Sequence, residues 1–187
     1  MTTHKCGWCI GDDLYEAYHD NEWGVPIYND HQLFEFLILE TFQAGLSWIT
    51  ILRKRENFRL AFDFFDYKKI AKYGETKKES LLQNAGIIRN KLKINATISN
   101  AQAFMEVQEE FGSFSKYIWS FVDGKPIKNK VKHYKAAPAN TPLSDTLSKD
   151  LKKRGFKFVG STVVYAYMQA TGMVNDHEIG CFRYHKA

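Results

Sequence analysis

Cysteine and histidine residues gather towards the two ends of this 187-residue chain. The opening stretch MTTHKCGWCIGDDLYEAYHDNEWGVP holds His4, Cys6, Cys9 and His19, and the stretch NDHEIGCFRYH holds His177, Cys181 and His185. Three residues separate His177 from Cys181, which lets a loop or one helical turn aim both side chains at a single ion, and Cys6 with His19 supplies a second pair. A Cys2His2 set of this kind closes a tetrahedral zinc site and leaves no position for water, so the metal would be structural and catalysis would lie elsewhere. The twelve residues between Cys6 and His19 do not match a zinc-finger pattern. On spacing alone Cys9, His4 and His185 compete as ligands, and the plain alternative is buried cysteines beside surface histidines. A metal joining residue 6 to residue 181 would hold two termini that otherwise fray.

Glu40 is the second chemically informative residue. It follows Phe36, Leu37, Ile38 and Leu39 and precedes Phe42 and Trp48, so its carboxylate needs a partner or a task if it is buried. The ordinary reading is a glutamate at a helix end that reaches solvent. The aromatic share of 15% exceeds what a core of this size needs, and Trp8, Tyr15, Tyr18, Trp23 and Trp48 would surround such an acid with rings. An acid beneath aromatic walls suits a flat, positively charged heteroaromatic ligand, although the same rings would serve a core equally well. A third pattern is LLQNAGIIRNKLKI, which reads as a helix, a tight glycine-containing turn and a second helix with Arg89, Lys91 and Lys93 in its first turns. The N–H groups and positive dipole end of that second helix suit a DNA phosphate, but short helical hairpins are also common connectors.

The elements that must position these residues read as helical almost throughout. Asn29 with Gln32 resembles a capping box opening LFEFLILETFQA, a helix apolar on most sides, and Gly45 separates it from SWITILRKRENFRLAF. Thr76 with Glu79 forms a second capping box before SLLQNA, with Gly86 as its stop. RNKLKINATISNAQAFMEVQEEF keeps helical spacing, Thr141-Pro142 starts a further helix ending at Gly155, and VGSTVVYAYMQAT runs as helix to Gly172. The segment VDGKPIKNKVKHYKAAPANTP is expected to be one long, exposed, lysine-rich loop.

Length, 44% hydrophobic and 25% charged content describe one folded globular unit. A formal charge of +5 permits a polyanionic partner, with the basic residues weighted to the second half. Neither a charged leader nor an apolar run of membrane-spanning length is seen, which predicts a cytoplasmic protein without membrane contact. Three cysteines, Cys6, Cys9 and Cys181, are an odd number and argue against a disulfide framework.

CGW (6–8), LYEAYHDNEWGVP (14–26), LFEFLILETFQAGLSWITILRKRENFR (33–59), NAGIIRNKLKI (84–94), WSFV (119–122), LSKDLKKRGFKFVGST (147–162) and MQATGMVNDHEIGC (168–181), in this order, resemble the DNA-3-methyladenine glycosylase I family. The resemblance implies an all-α, two-lobed helix-hairpin-helix glycosylase-like fold forming a single unit over residues 1–187. One lobe would carry both termini and the zinc site, and the central helical lobe would carry the hairpin near 84–94. It implies hydrolysis of the N-glycosidic bond of 3-methyladenine in alkylated double-stranded DNA, the first step of base excision repair, by a monomer. Carried over residue by residue, it makes Cys6, His19, His177 and Cys181 the ligands of a structural zinc, and Glu40 the acid that recognises the base. Tyr18 and Trp48 become the principal base contacts, with Trp8, Tyr15 and Trp23 as further walls. Gly45 and Leu46 would fill the gap left in the duplex, while Gly86, Ile88, Arg89, Lys91 and Lys93 belong to the hairpin that grips the backbone. Leu92 departs from the family by standing where a glycine is expected, and Cys9 has no family role. The catalytic aspartate of the wider superfamily has no counterpart here, and Asp123 does not supply it.

Overall fold

Asn29 turns the chain out of an extended segment by accepting a hydrogen bond from the Gln32 N–H, and the helix it caps becomes the centre of the molecule. In a computed structural model, which describes residues 4–186, the chain forms α1 (Asp13–Asn21), α2 (Asp30–Gln43), α3 (Trp48–Ala61), α4 (Tyr67–Ile70), α5 (Glu75–Gln83), α6 (Lys91–Phe111) and α7 (Phe114–Ser120). A two-residue strand β1 (Ile127–Lys128) precedes α8 (Pro142–Lys153) and α9 (Ser161–Ala170), and β2 (Val174–Asn175) pairs with β1 in parallel. The all-α expectation holds. Among the described residues these two short strands form the sole sheet.

Every α2 residue from Leu33 to Phe42 is buried, because α3, α6, α7 and α9 pack around it. Apolar side chains favour that position by roughly 1.5–3 kcal/mol each when fully buried. Glu35 tolerates burial because it accepts from Arg55 Nε at 2.8 Å and Arg59 Nη2 at 2.7 Å. The end of α2 is closed from outside. Lys93, on α6, donates its ammonium to the carbonyls of Phe42 at 2.8 Å and Ala44 at 2.6 Å, placing a cation at the negative end of the helix dipole. That bond pair sets where the following turn leaves α2. Lys93 is therefore 5% exposed, with its ammonium held at the end of α2, a contact the sequence did not indicate.

Two local expectations also change. α5 starts at Glu75 behind Gly74, with no side-chain cap, so Thr76 lies inside the helix and forms no capping box. The segment 123–141 is not simply exposed: Ile127 and Lys128 run beside Val174 and Asn175, Val131 bridges to Glu178, and Tyr134–Ala136 forms a 3-10 turn. The Thr141-Pro142 start is realised as a reciprocal capping box between Thr141 and Ser144. No helix among the described residues is long and apolar enough to cross a membrane.

Gly172 shows how tightly α9 is tied to the segment leaving α1. Its φ is +72°, and a Cβ there would lie 2.4 Å from the Pro26 nitrogen and 2.5 Å from the Val25 carbonyl carbon, both backbone atoms with no freedom to retreat. Gly172→Ala is expected to destabilise the fold by roughly 2–4 kcal/mol, read as a lowered midpoint in urea denaturation.

Candidate active site and metal centre

α1, α2, α3 and the segments 134–137 and 166–176 meet around a cavity of ≈ 200 Å³, open on one side and lined by Trp8, Tyr15, Tyr18, Trp23, Glu40 and Trp48. All six were expected from the sequence to stand together, and the structure brings them together. Helical periodicity explains the grouping: Tyr15 and Tyr18 share a face of α1, while Glu40, near the end of α2, and Trp48, at the start of α3, flank one short turn. The rings brace each other, with Trp8 at 4.8 Å from Tyr15 and 5.0 Å from Trp23, and Tyr18 at 5.4 Å from Trp48.

Glu40 is 3% exposed, and its Oε2 has no hydrogen-bond partner. The Tyr18 hydroxyl and the Trp48 Nε1 are likewise buried and unpartnered. Three polar atoms without partners at one cavity, in a molecule that pairs nearly all its buried polar groups, mark a place built to receive polar groups from elsewhere. Burial pushes the Glu40 carboxyl up to about 8, because no nearby donor or cation offsets the lost hydration. Tyr15 is pushed up to about 12 by burial and then by the Glu40 charge, and Tyr18 rises for the same two reasons. The free cavity thus favours a neutral acid and neutral phenols, and a cation entering it would draw the proton off Glu40.

Sequence reasoning missed Gln43, Tyr134, Ala137, Ala166, Gln169 and Asp176, which complete the lining. Asp176 is 4% exposed and accepts from Tyr165 Oη at 2.6 Å, Gln169 Nε2 at 2.8 Å and Asn129 Nδ2 at 2.6 Å. Its position next to His177 was the available signal. Tyr134 carried none, since nothing in a lysine-rich loop marks which residue folds back.

Behind the Trp8–Trp23 wall, the sulfur of Cys6, the sulfur of Cys181 and ring nitrogens of His19 and His177 all lie within 4.8 Å of one another, and all four residues are buried. Cys6 Sγ is 3.5 Å from His177 Nδ1, and Cys181 Sγ is 3.4 Å from His19 Nε2. The outward nitrogens are already committed. His19 Nδ1 donates to Asp20 Oδ1 at 2.8 Å and His177 Nε2 donates to the Trp23 carbonyl at 3.1 Å, which fixes the tautomers and turns the free lone pairs inward. The Glu178 N–H points at Cys6 Sγ at 3.3 Å and the Arg183 N–H at Cys181 Sγ at 3.4 Å, an arrangement that favours thiolates. Burial lowers His177 to about 3 and also lowers His19, so both imidazoles are neutral ligands, whereas burial raises the Cys6 thiol. Two sulfurs and two neutral imidazoles at this spacing fit a metal ion with four protein ligands. Cys9 is buried 3.1 Å from the Cys6 carbonyl and stands outside the set, as do His4 and His185.

The remaining expected residues lie on the same chain turns but outside the cavity. Gly45, with φ +82°, and Leu46, 41% exposed, form the turn between Gln43 and Trp48, both of which line the cavity. Gly86 lies in the α5–α6 turn, where Lys54 donates to its carbonyl at 3.4 Å, and Ile88 packs against the core. Arg89 and Lys91 are exposed at the start of α6, and Leu92 is 69% exposed there.

A largely helical fold carries a cavity with an unpaired acid under aromatic rings, and beside it a turn between two helices with exposed basic residues. A family profile described as methyladenine glycosylase matches residues 8–184, and the chain belongs to that family. It is 51% identical over 180 residues to DNA-3-methyladenine glycosylase 1 of Escherichia coli (strain K12), covering 96% of each chain. A crystal structure of 3-methyladenine DNA glycosylase I superposes with a TM-score of 0.93 at 54% identity, over 96% of this chain and 98% of that one. A tyrosine-to-phenylalanine variant of 3-methyladenine DNA glycosylase I, solved in complex with 3-methyladenine, superposes at 0.92 with 35% identity over 95% and 96% of the two chains.

The raised Glu40 carboxyl also makes stability depend on pH. An unfolded glutamate ionises near its ordinary value of 4.5, whereas the folded one keeps its proton until about 8, so stability falls as pH rises between those values and is flat above. Glu40→Gln is neutral at every pH. It should match the wild type near pH 4.5 and exceed it by up to about 5 kcal/mol at pH 9, measured by denaturation at both pH values.

Proposed function

We propose that this member of the family removes 3-methyladenine from alkylated DNA, the first step of base excision repair, by drawing the flipped nucleotide into the cavity between Tyr18 and Trp48 above Glu40. The observation that carries the reading is the unpartnered, buried Oε2 of Glu40 beside two equally unpartnered donors. The complex of a relative with 3-methyladenine supports that base as the occupant.

Methylation at N3 leaves adenine in DNA with a positive charge, so the base departs neutral when its glycosidic bond breaks and needs no strong acid. The ring faces attract the cation, and Glu40, giving up its proton to solvent as the cation enters, accepts from the polar edge of the base in a dry setting where the bond is strong. Trp8, Tyr15 and Trp23 keep bulk water from the base. Water then attacks the oxocarbenium-like sugar, with the neighbouring DNA phosphates stabilising its charge. Unmodified adenine brings no charge to offset Glu40 and is a far poorer leaving group.

Arg89, Lys91 and the N-terminal amides of α6 grip the duplex backbone, with Gly86 and Ile88 shaping the turn that presents them. Gly45 and Leu46 fill the gap vacated by the flipped base. One lobe carries the termini and metal, a second the central helices and hairpin, and the chain works as a cytoplasmic monomer. The metal is zinc, given its two sulfur and two imidazole donors; held by four protein ligands it supplies fixed geometry at the termini and takes no part in bond breaking.

Glu40→Gln keeps the shape of the side chain but removes its charge. Single-turnover release of 3-methyladenine should fall by about one to two orders of magnitude, since a bond to a charged partner is worth roughly 1.5–3 kcal/mol, while affinity for undamaged duplex stays unchanged. Undiminished release would remove Glu40 from the reaction, and a parallel loss of duplex affinity would make its role structural. For the metal, elemental analysis should find one zinc per chain. Cys181→Ala should lower the melting temperature by about 5–15 °C while leaving base release nearly intact at a temperature where it stays folded. A metal-free protein of full stability would overturn the zinc assignment.

A further inference from the structure

Residues 124–144 contain five lysines and no acid. Lys125, Lys128, Lys130, Lys132 and Lys135 are exposed, and none of them forms an ion pair among the described residues. The segment is nevertheless held in place. Ile127 N donates to the Met173 carbonyl at 2.9 Å, Asn129 N to the Asn175 carbonyl at 3.1 Å, and Ile179 N to the Val131 carbonyl at 2.8 Å. Asn129 turns inward to Asp176 and Val131 is 8% exposed, so the alternation of an extended strand sends Lys128, Lys130 and Lys132 outward along one edge, roughly 7 Å apart. That step is comparable to the spacing of successive phosphates along a nucleic-acid strand. Glu178 then accepts from the Tyr134 N–H at 2.8 Å and brings Tyr134 to the wall of the base cavity.

Beside this strap runs a groove of ≈ 410 Å³ that includes Lys130 and Lys132 and shares Ala137 and Asp176 with the base cavity. A nucleotide whose base occupies the cavity has to lead its sugar-phosphate chain out past that shared edge. Like charges gathered without counter-ions are unfavourable in the free protein and find relief on a polyanion.

We propose that the strap formed by residues 125–135 is a second phosphate-binding surface, separate from the α5–α6 hairpin, that holds the damaged strand next to the flipped nucleotide. The proposal rests on the reading of the chain as an enzyme of alkylated DNA, and it is tested on binding rather than on base release. In a variant combining Lys128→Gln, Lys130→Gln, Lys132→Gln and Lys135→Gln, the slope of log affinity against log salt for a duplex oligonucleotide should fall by about 2 to 3, at roughly 0.9 for each phosphate that is no longer neutralised. Affinity at about 0.1 M salt should fall about 10- to 100-fold, equally for methylated and unmethylated duplexes. The companion variant with arginine at the same four positions should restore the slope, because charge and not lysine packing is the requirement. An unchanged slope in the glutamine variant, or a reduction that arginine does not restore, would overturn the proposal. Failure of the wild type to release 3-methyladenine would instead strike the underlying activity and leave the slope comparison standing.

Discussion

A carboxyl group without a partner, near the end of a helix buried on every side, is the constraint to which the rest of the molecule answers. Desolvating Glu40 disfavours its charged form, and the shift to about 8 measures how little the surrounding protein does to offset that. The fold has to supply the cohesion that keeps such a group in place. α2 does so through ten consecutive buried residues and through Lys93, whose ammonium fastens the helix end just beyond the acid. If α2 unwound by one turn, Glu40 would find water, and the cavity would lose its unmet polar demand.

The opposite wall of the cavity depends on residues distant in sequence. Trp8 and Trp23 sit between the base cavity and the Cys2His2 cluster, with Trp23 4.7 Å from the ring of His177 and its carbonyl fixing that ring. Gly24 lets this happen: a Cβ there would lie 2.9 Å from His177 Nε2. Aromatic wall and ligand cluster are therefore one packed unit, so the positions of the indole rings depend on the cluster behind them.

Much of this was legible in the sequence where local rules decide. The Asn29 cap, the Thr141-Pro142 start and the helical course of VGSTVVYAYMQAT follow from capping and periodicity, and each is realised. The cavity residues on α1, α2 and α3 were legible because helical faces and short turns bring them together. The contact of Lys93 with α2 was not legible, because its side chain is long enough to reach the carbonyls at the end of that helix, a partnership between residues 49 and 51 positions apart that no local pattern displays. Tyr134 escaped for a similar reason: it is held by Glu178, a contact across forty-four positions of chain.

The β1–β2 pairing and the Cys6–His177 contact, with 171 positions between the partners, also set the order in which the molecule can be made. Contacts across so long a span form late, because the ends of a long loop must meet before anything is gained. A nascent chain released as far as α7 still lacks α9, one of the helices that bury α2 and Glu40. It lacks the second cysteine and histidine of the cluster, the strand that docks residues 127–131, and the support for Tyr134. The cavity wall and the cluster behind it are thus completed only after His177 and Cys181 have been synthesised.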